Sequence, residues 1–300
     1  MKIEARSAKA YAEAARAPQT KLCYASDLRH FKANGGRIPA TPLQVARYLA
    51  TFAGSLSVST LQRRLWAIQE AHRSRELPNP VATSKVQDTM RGIRRTMGAA
   101  PMHAIALTRR HILQLAALHR DSGLPALRNR AMLLLGFAGA FRRSELMGLT
   151  VADISVLPDG LRIRVKRSKT DQEGHGRTVW ISKAKTRASC AVESLRRWLV
   201  AAQITQGPLF RKITLGGRIG NEALSPQTLN VIVKAAARRV WGIDAANGVS
   251  GHSLRAGYCT EAASQGVPLH MIRRQTGHTS IEALMRYIRT SDSSRGTSVL

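Results

Sequence analysis

Residues 161–181 read LRIRVKRSKTDQEGHGRTVWI. Leu161, Ile163 and Val165 alternate with Arg162, Arg164 and Lys166, and Arg177-Thr178-Val179-Trp180-Ile181 takes up the same period of two after a polar loop with Gly174 and Gly176. Such alternation puts one set of side chains on a buried face and the other in water, and two such runs around a glycine-bearing loop form an antiparallel hairpin. A third strand near Ile154 can extend it. No other stretch carries a strand signal, so the expected class is mainly α: a helical N-terminal domain, then a mixed α+β domain built around this one small antiparallel sheet.

Apolar residues on either side recur at helical spacing. Helices are expected over 108–119 and 126–140, the latter apolar nearly all round and therefore buried, and a short one starts near Arg143. Beyond the hairpin, helices are expected over 188–203, 226–241, 253–265, 268–275 and 281–288. Towards the N-terminus, an alanine-rich helix over 1–17 precedes one over 19–33 that stops at Asn34-Gly35-Gly36. Thr41, Pro42 and Gln44 form a capping box for the next helix. The helix over 59–75 puts Val58, Leu61, Leu65, Ile68 and His72 on one face and Gln62, Arg63 and Arg64 on others; a fourth, over 83–97, carries Lys85, Arg91, Arg94 and Arg95. Small residues and Pro101 place a linker at 98–106, dividing the chain into domains 1–100 and 101–300.

Of 300 residues, 44% are hydrophobic, which is enough for a substantial core and excludes disorder. Cys23, Cys190 and Cys259 are odd in number and widely spaced, so neither a disulfide framework nor a structural zinc site is expected, and the compartment is a reducing cytoplasm. The longest apolar run, 131–141, falls short of the roughly 20 residues a membrane helix needs, and charged residues interrupt every alanine run in the first thirty. No membrane partner follows. Lys+Arg number 47 against 18 Asp+Glu, and both halves are basic, which points to a polyanion touching both; nucleic-acid phosphates fit. Arginines outnumber lysines 36 to 11, which suits bidentate forks on phosphate, although a GC-rich genome produces the same bias.

Gly251-His252-Ser253-Leu254-Arg255 sets a histidine and an arginine on one face at the opening of a helix. The spacing alone is uninformative, because it recurs at His72 and His270. Its company is the signal: His278 follows Arg255 by 23 residues, Tyr287 follows His278 by nine, and Arg142 precedes His252 by 110. In this order and spacing the chain resembles the tyrosine recombinase, or phage integrase, family over residues 19–289. Gly139-Ala140-Phe141-Arg142-Arg143-Ser144-Glu145-Leu146 is similar to the family's first arginine box, which implies Arg142 as a catalytic arginine with Glu145 in support. The resemblance further implies Lys169 in Arg167-Ser168-Lys169-Thr170 as the hairpin lysine, with Lys166 the alternative, His252 and Arg255 as the second box, His278 as the later histidine and Tyr287 as the nucleophile. Phe141 and Thr276 stand where the family has leucine. His175, between two glycines, is left out.

The side chains suit phosphoryl transfer. A phosphodiester gaining a fifth oxygen develops negative charge, onto which Arg142 and Arg255 can fork. Acids are too few for a two-metal site, so no metal and no cofactor are expected. Tyrosine, with an ordinary pKa of about 10, needs cationic surroundings and a proton acceptor, for which His252 is placed; Lys169 would protonate the departing oxygen and His278 could hydrogen-bond a phosphate oxygen. Singly, each residue has a plainer reading: Arg142 paired with Glu145, His252 capping its helix, Lys169 solvated, Tyr287 packed. The expected function is a site-specific DNA recombinase working through a covalent 3′-phosphotyrosine; the rivals are type IB topoisomerase-like relaxation and a non-enzymatic DNA-binding protein. The resemblance also implies a C-shaped clamp on double-stranded DNA bearing a specific recombination site and a homotetramer on two duplexes, with residues 291–300 as a tail docking on a neighbour. The compact length is closer to plasmid, transposon and chromosome-resolution recombinases than to long phage integrases. Arg63, Arg64, Arg91, Arg94 and Arg95 are the expected DNA contacts of the first domain. The target sequence is not legible.

Overall fold

The computed structural model describes residues 17–98, 104–119, 123–166 and 176–292. The helix expected over 1–17, the loop with Lys169 and His175, and the end of the tail lie outside them. The chain divides into two compact units, Met1–Met102 and His103–Leu300.

Among its described residues the first unit holds four α-helices: α1 Pro18–Ala33, α2 Pro42–Phe52, α3 Val58–Arg73 and α4 Ser84–Met97. Their apolar faces enclose Phe31, Val45, Leu49, Leu61, Leu65, Ile68, Val86 and Met90. Gly35, at φ 82, turns the chain out of α1. Thr41 caps α2 by accepting from the Gln44 amide at 3.2 Å, but the Gln44 side chain donates to the Gly35 carbonyl at 2.8 Å. Only half of the expected capping box therefore forms. His72 sits fully buried, accepting from the Ala40 amide at Nε2 and so donating from Nδ1 to the Ile68 carbonyl.

Arg64 corrects the sequence reading. It is 8% exposed, donates to the Tyr48 hydroxyl at 2.7 Å and lies 3.6 Å from Asp27. Position 64 falls between Leu61 and Ile68 on the inward face of α3, and the buried Asp27 carboxylate neutralises it there. Arg64 is thus structural and not a DNA contact. Arg63 shares Asp27 through two bonds at 2.8 and 2.9 Å but is half exposed. Arg91, Arg94 and Arg95 lie on the exposed side of α4, with Arg91 paired to Asp88 and Arg94 donating to Gln62.

The second unit opens with α5 Arg109–Ala117, α6 Leu124–Ala138 and α7 Arg143–Gly148. β1 Ile154–Leu157, β2 Gly160–Val165 and β3 Arg177–Ser182 then form an antiparallel sheet in that order, with Ile154 opposite Ile163 and Ile163 opposite Val179. Leu161, Ile163 and Val165 are buried as the alternation requires. After α8 Ala191–Ala201 comes a second sheet that the sequence did not signal, β4 Arg211–Ile213 paired with β5 Ile219–Ala223. These strands are short and largely exposed, so no buried set repeats along them. α9 Pro226–Trp241, α10 Ile243–Asn247, α11 His252–Ser264, α12 Leu269–Thr276 and α13 Ile281–Asp292 follow. The chain is mainly α with small antiparallel sheets. None of its described helices is long and apolar enough to cross a membrane.

One large core, with Trp198, Leu133, Leu135, Ile163, Val179, Phe210 and Val233 at its centre, holds α5–α9 and the three-stranded sheet. A separate small cluster of Cys259, Ala262, Ile272 and Leu284 joins α11, α12 and α13, with Tyr287 packed on its edge. α11 lies backbone to backbone against the chain before α5: the Leu107 amide donates to the Ser253 carbonyl at 3.1 Å, and a Cβ on Gly257 would fall 1.8 Å from the Leu107 carbonyl oxygen. Backbone on both sides leaves nothing to yield. Gly257→Ala is expected to destabilise the protein by about 3 kcal/mol, at the upper end for overpacking, read as a lowered denaturant midpoint; an unchanged midpoint would contradict this packing.

Candidate active site

The site begins at the N-terminus of α7. Arg142 is the N-cap residue and Glu145 the third residue of the helix, and the Glu145 carboxylate accepts from the Arg142 amide at 2.8 Å. The same carboxylate accepts from Arg142 Nη1 at 2.7 Å and from both terminal nitrogens of Arg177, at 3.0 and 2.8 Å. Its side chain is fully enclosed. Burial alone would raise the pKa, but the bonds and charge of Arg177, then those of Arg142, bring it down to about 2.

α11 supplies His252 and Arg255 from adjoining turns. Arg255 is 1% exposed. Its Nη1 donates to the carbonyls of Ala140, at 2.8 Å, and Thr276, at 2.5 Å, whereas Nη2 is buried with no partner among the described residues. Ala140 carries φ 48, a left-handed conformation uncommon without glycine, and it is this residue's carbonyl that receives Arg255. Burial, then Arg142, lowers the Arg255 pKa to about 10, so the group stays charged at neutral pH.

The turn after α12 completes the cationic half. Gly277 sits at φ 66, and a Cβ there would come 2.9 Å from Arg177 Cδ, so position, conformation and space all demand glycine. Three successive carbonyls each accept from a different arginine: Thr276 from Arg255, Gly277 from Arg142 Nη2 at 3.2 Å, and His278 from Arg273 Nε at 3.2 Å. The Thr276 carbonyl is one that the end of α12 leaves unpaired, at the negative end of its dipole, and those of Gly277 and His278 belong to the turn that follows.

α13 brings Tyr287 against both histidines. His252 Nε2 lies 2.6 Å from the Tyr287 hydroxyl, and the His278 ring is 5.4 Å from the Tyr287 ring, centre to centre. Thr260 Oγ1 donates to the Tyr287 carbonyl at 3.0 Å, tying α13 to α11. Burial, then Arg255 and its cationic neighbours, holds His252 down to about 4 and His278 to about 3. Burial raises the Tyr287 pKa in spite of Arg255 and Arg142. Both imidazoles are therefore neutral and the phenol protonated at neutral pH.

Five of the six expected residues, Arg142, His252, Arg255, His278 and Tyr287, gather here, and Glu145 lies beside them. The sixth, Lys169, is outside the described residues. Lys166, its alternative, has Nζ 2.6 Å from Asp153. Arg177 is the residue the sequence reading missed. Its position was legible: 177, 179 and 181 share the inward face of β3, and an arginine there requires a carboxylate.

Two outcomes follow. Removing Arg177 leaves the buried Glu145 with one partner, so Arg177→Met is expected to cost about 3 kcal/mol, read in denaturant unfolding; a smaller loss in Arg177→Met/Glu145→Gln than in the single variant would mark the unpaired charge as the cause. Between about pH 6.5 and their lowered values the histidines, and between 4.5 and about 2 Glu145, bind fewer protons folded than unfolded. Stability then rises with pH across the window. The unfolding temperature should fall steadily on acidification from about pH 6.5, and His278→Gln should flatten the upper part of the fall.

Residues 106–294 match the model of the phage integrase family. The chain is 37% identical over 254 residues to an integrase/recombinase XerD homologue of Selenomonas ruminantium, covering 84% of this chain and 74% of that protein. It is 30% identical over 279 residues to recombinase Cre of Escherichia phage P1, covering 87% and 79%. Its fold is similar to that of lambda integrase, solved as a dimer bound to a COC′ core site, with a TM-score of 0.60, 15% identity and coverage of 97% and 95%.

Proposed function

The chain belongs to the phage integrase family, and from that membership we propose that it is a site-specific DNA recombinase that cuts and rejoins strands through a covalent 3′-phosphotyrosine. The observation that carries this reading is the 2.6 Å contact between His252 Nε2 and the Tyr287 hydroxyl, beside an Arg255 whose buried Nη2 has no partner among the described residues. A buried guanidinium nitrogen without an acceptor costs free energy that a phosphate oxygen would recover.

The reaction follows from these groups. The protonated phenol of Tyr287 donates to the neutral His252, so the proton has an acceptor as the phenolic oxygen attacks phosphorus. Arg142 and Arg255 stabilise the charge that grows on the non-bridging oxygens. The bond from phosphorus to the 5′ oxygen breaks, and Lys169 supplies the proton that this oxygen takes up. The 3′-phosphotyrosine keeps the energy of the broken linkage, so a 5′ hydroxyl attacking it reseals a strand and returns Tyr287 to its starting state. Each step reverses the other, and no nucleotide is consumed.

The partner is double-stranded DNA with a specific recombination site, bound in the cytoplasm by a homotetramer that spans two duplexes. In the first unit Arg91, Arg94 and Arg95, with the exposed edge of Arg63, supply phosphate contacts. The DNA-bound state of the lambda integrase structure with a similar fold and the basic charge of both halves support the DNA partner.

A nicked duplex carrying the cognate site should trap a protein–DNA adduct that survives denaturing electrophoresis. Tyr287→Phe should abolish it, and EDTA should leave it unchanged. Equal adduct with Tyr287→Phe would remove the nucleophile from the proposal, and loss in EDTA would point to a metal nuclease. Relaxation of supercoils without exchange between two short duplexes would favour the topoisomerase-like outcome.

A further inference from the structure

The arginines of the site depend on three segments, and one side chain behind them ties those segments together. Gln275, the penultimate residue of α12, is partly buried, and its Nε2 donates to the Ala138 carbonyl at 3.2 Å and to the Trp180 carbonyl at 2.9 Å. A primary amide carries two protons on one nitrogen, and here they serve two different elements. Ala138 closes α6; in the turn that follows, the amides of Gly139, Ala140 and Phe141 take the carbonyls of Leu135, Phe137 and Gly136, and the Ala138 carbonyl goes to Gln275. Trp180 lies on β3, an edge strand of its sheet. The Gln275 backbone is engaged as well, its carbonyl accepting from Arg177 Nε at 3.3 Å.

Arg255 is held between two of these segments. Ala140, two residues beyond Ala138, gives it one carbonyl, and Thr276, one residue beyond Gln275, gives it the other. The separation of those carbonyls, and with it the direction of Nη2, follows from how the end of α12 sits on the end of α6. Gly277, next in the turn, holds Arg142, and Arg177 opens the strand that carries Trp180. Ile272, the apolar residue that α12 buries, packs on the cluster shared with α11 and α13, whereas Gln275 supplies a link to α6 and β3.

We propose that Gln275 is a positioning residue: its side-chain amide sets the seat of the turn after α12 on α6 and β3, and thereby the aim of Arg255 and Arg142 at the scissile phosphate. This rests on the phosphoryl-transfer reading of the site and adds to it a residue that acts through the arginines. Without the amide, the Ala138 and Trp180 carbonyls turn to water from the groove that they line with Phe137 and Tyr258, and the turn is free to shift. A misplacement of about 1 Å costs an oriented reaction up to a hundredfold in rate. Affinity for the duplex, summed over many phosphate contacts, is spared.

Gln275→Met keeps the length of the side chain and removes both donors; Gln275→Glu keeps its shape and puts acceptors where the donors stood. In the DNA-free protein, hydrogen exchange reports the seat of the turn through the Gly277 amide, which donates to the Arg273 carbonyl at 2.7 Å. That amide should exchange faster in both variants, on the order of tenfold, while amides of α8 and α9 keep their wild-type rates. On the nicked duplex, the adduct rate at saturating DNA should fall on the order of tenfold, with the half-saturating DNA concentration unchanged. A residue that only added stability would speed exchange throughout the unit and leave the saturated rate alone; that outcome overturns the proposal, as does a Gly277 amide exchanging at the wild-type rate in both variants. Weaker DNA binding with an unchanged saturated rate would make Gln275 a binding residue and overturns it too. Faster Gly277 exchange with both DNA measurements unchanged overturns the catalytic half. Wild-type protein that forms no adduct, with Gly277 exchange changed as stated, would sink the recombinase reading and leave the clamp standing.

Discussion

Arg142, Arg177 and Arg255 carry three positive charges into a region with one enclosed carboxylate among the described residues, Glu145, and the rest of the site is arranged around that imbalance. Glu145 engages Arg142 and Arg177 together. It does not reach Arg255, which is held by carbonyl oxygens from Ala140 and Thr276. The C-terminal turn of α12 acts as a second, diffuse anion, because its carbonyls point at three arginines and its dipole has the required sign. The local backbone follows from this duty: Ala140 and Gly277, both at positive φ, aim carbonyls where guanidinium groups need them.

Excess cationic charge out of water also decides how the other groups behave. Burial first, and then that charge, keeps His252 and His278 neutral, since an imidazolium there would add another cation away from solvent. Neutral histidines have lone pairs to offer, and one of them already meets the Tyr287 hydroxyl. The phenol itself remains protonated because burial outweighs the arginines. A phosphate entering such a place meets donors on one side and a phenol already bonded to its proton acceptor on the other. Preorganisation of this kind needs no rearrangement when charge develops.

Much of this was legible in the sequence. Helix positions follow from periodicity and caps: α9 has the expected bounds, the other expected helices within the described residues shift by a few residues, as at α8, which starts at Ala191 because a short turn precedes Cys190, and the five-residue α10 was not expected. The sheet was legible because one of its faces is buried; β4 and β5 were not, because neither face is. Arg64 was misassigned because a helix-face argument ranks charge above position, whereas a buried Asp27 from another helix reverses that order. Arg142, His252, Arg255, His278 and Tyr287 could be found through their order, but nothing in one dimension pairs Arg177 with Glu145, or joins Gln275 to Ala138 and Trp180.

Among the described residues, Tyr287 packs on the small cluster and not on the main core. The described side chains of α13 meet the small cluster of Cys259, Ala262, Ile272 and Leu284, and the Thr260 tether joins the helix to α11. Both histidine contacts of Tyr287 would travel with any movement of α13, whereas the bonds that hold Arg142, Arg177 and Arg255 involve no residue of that helix.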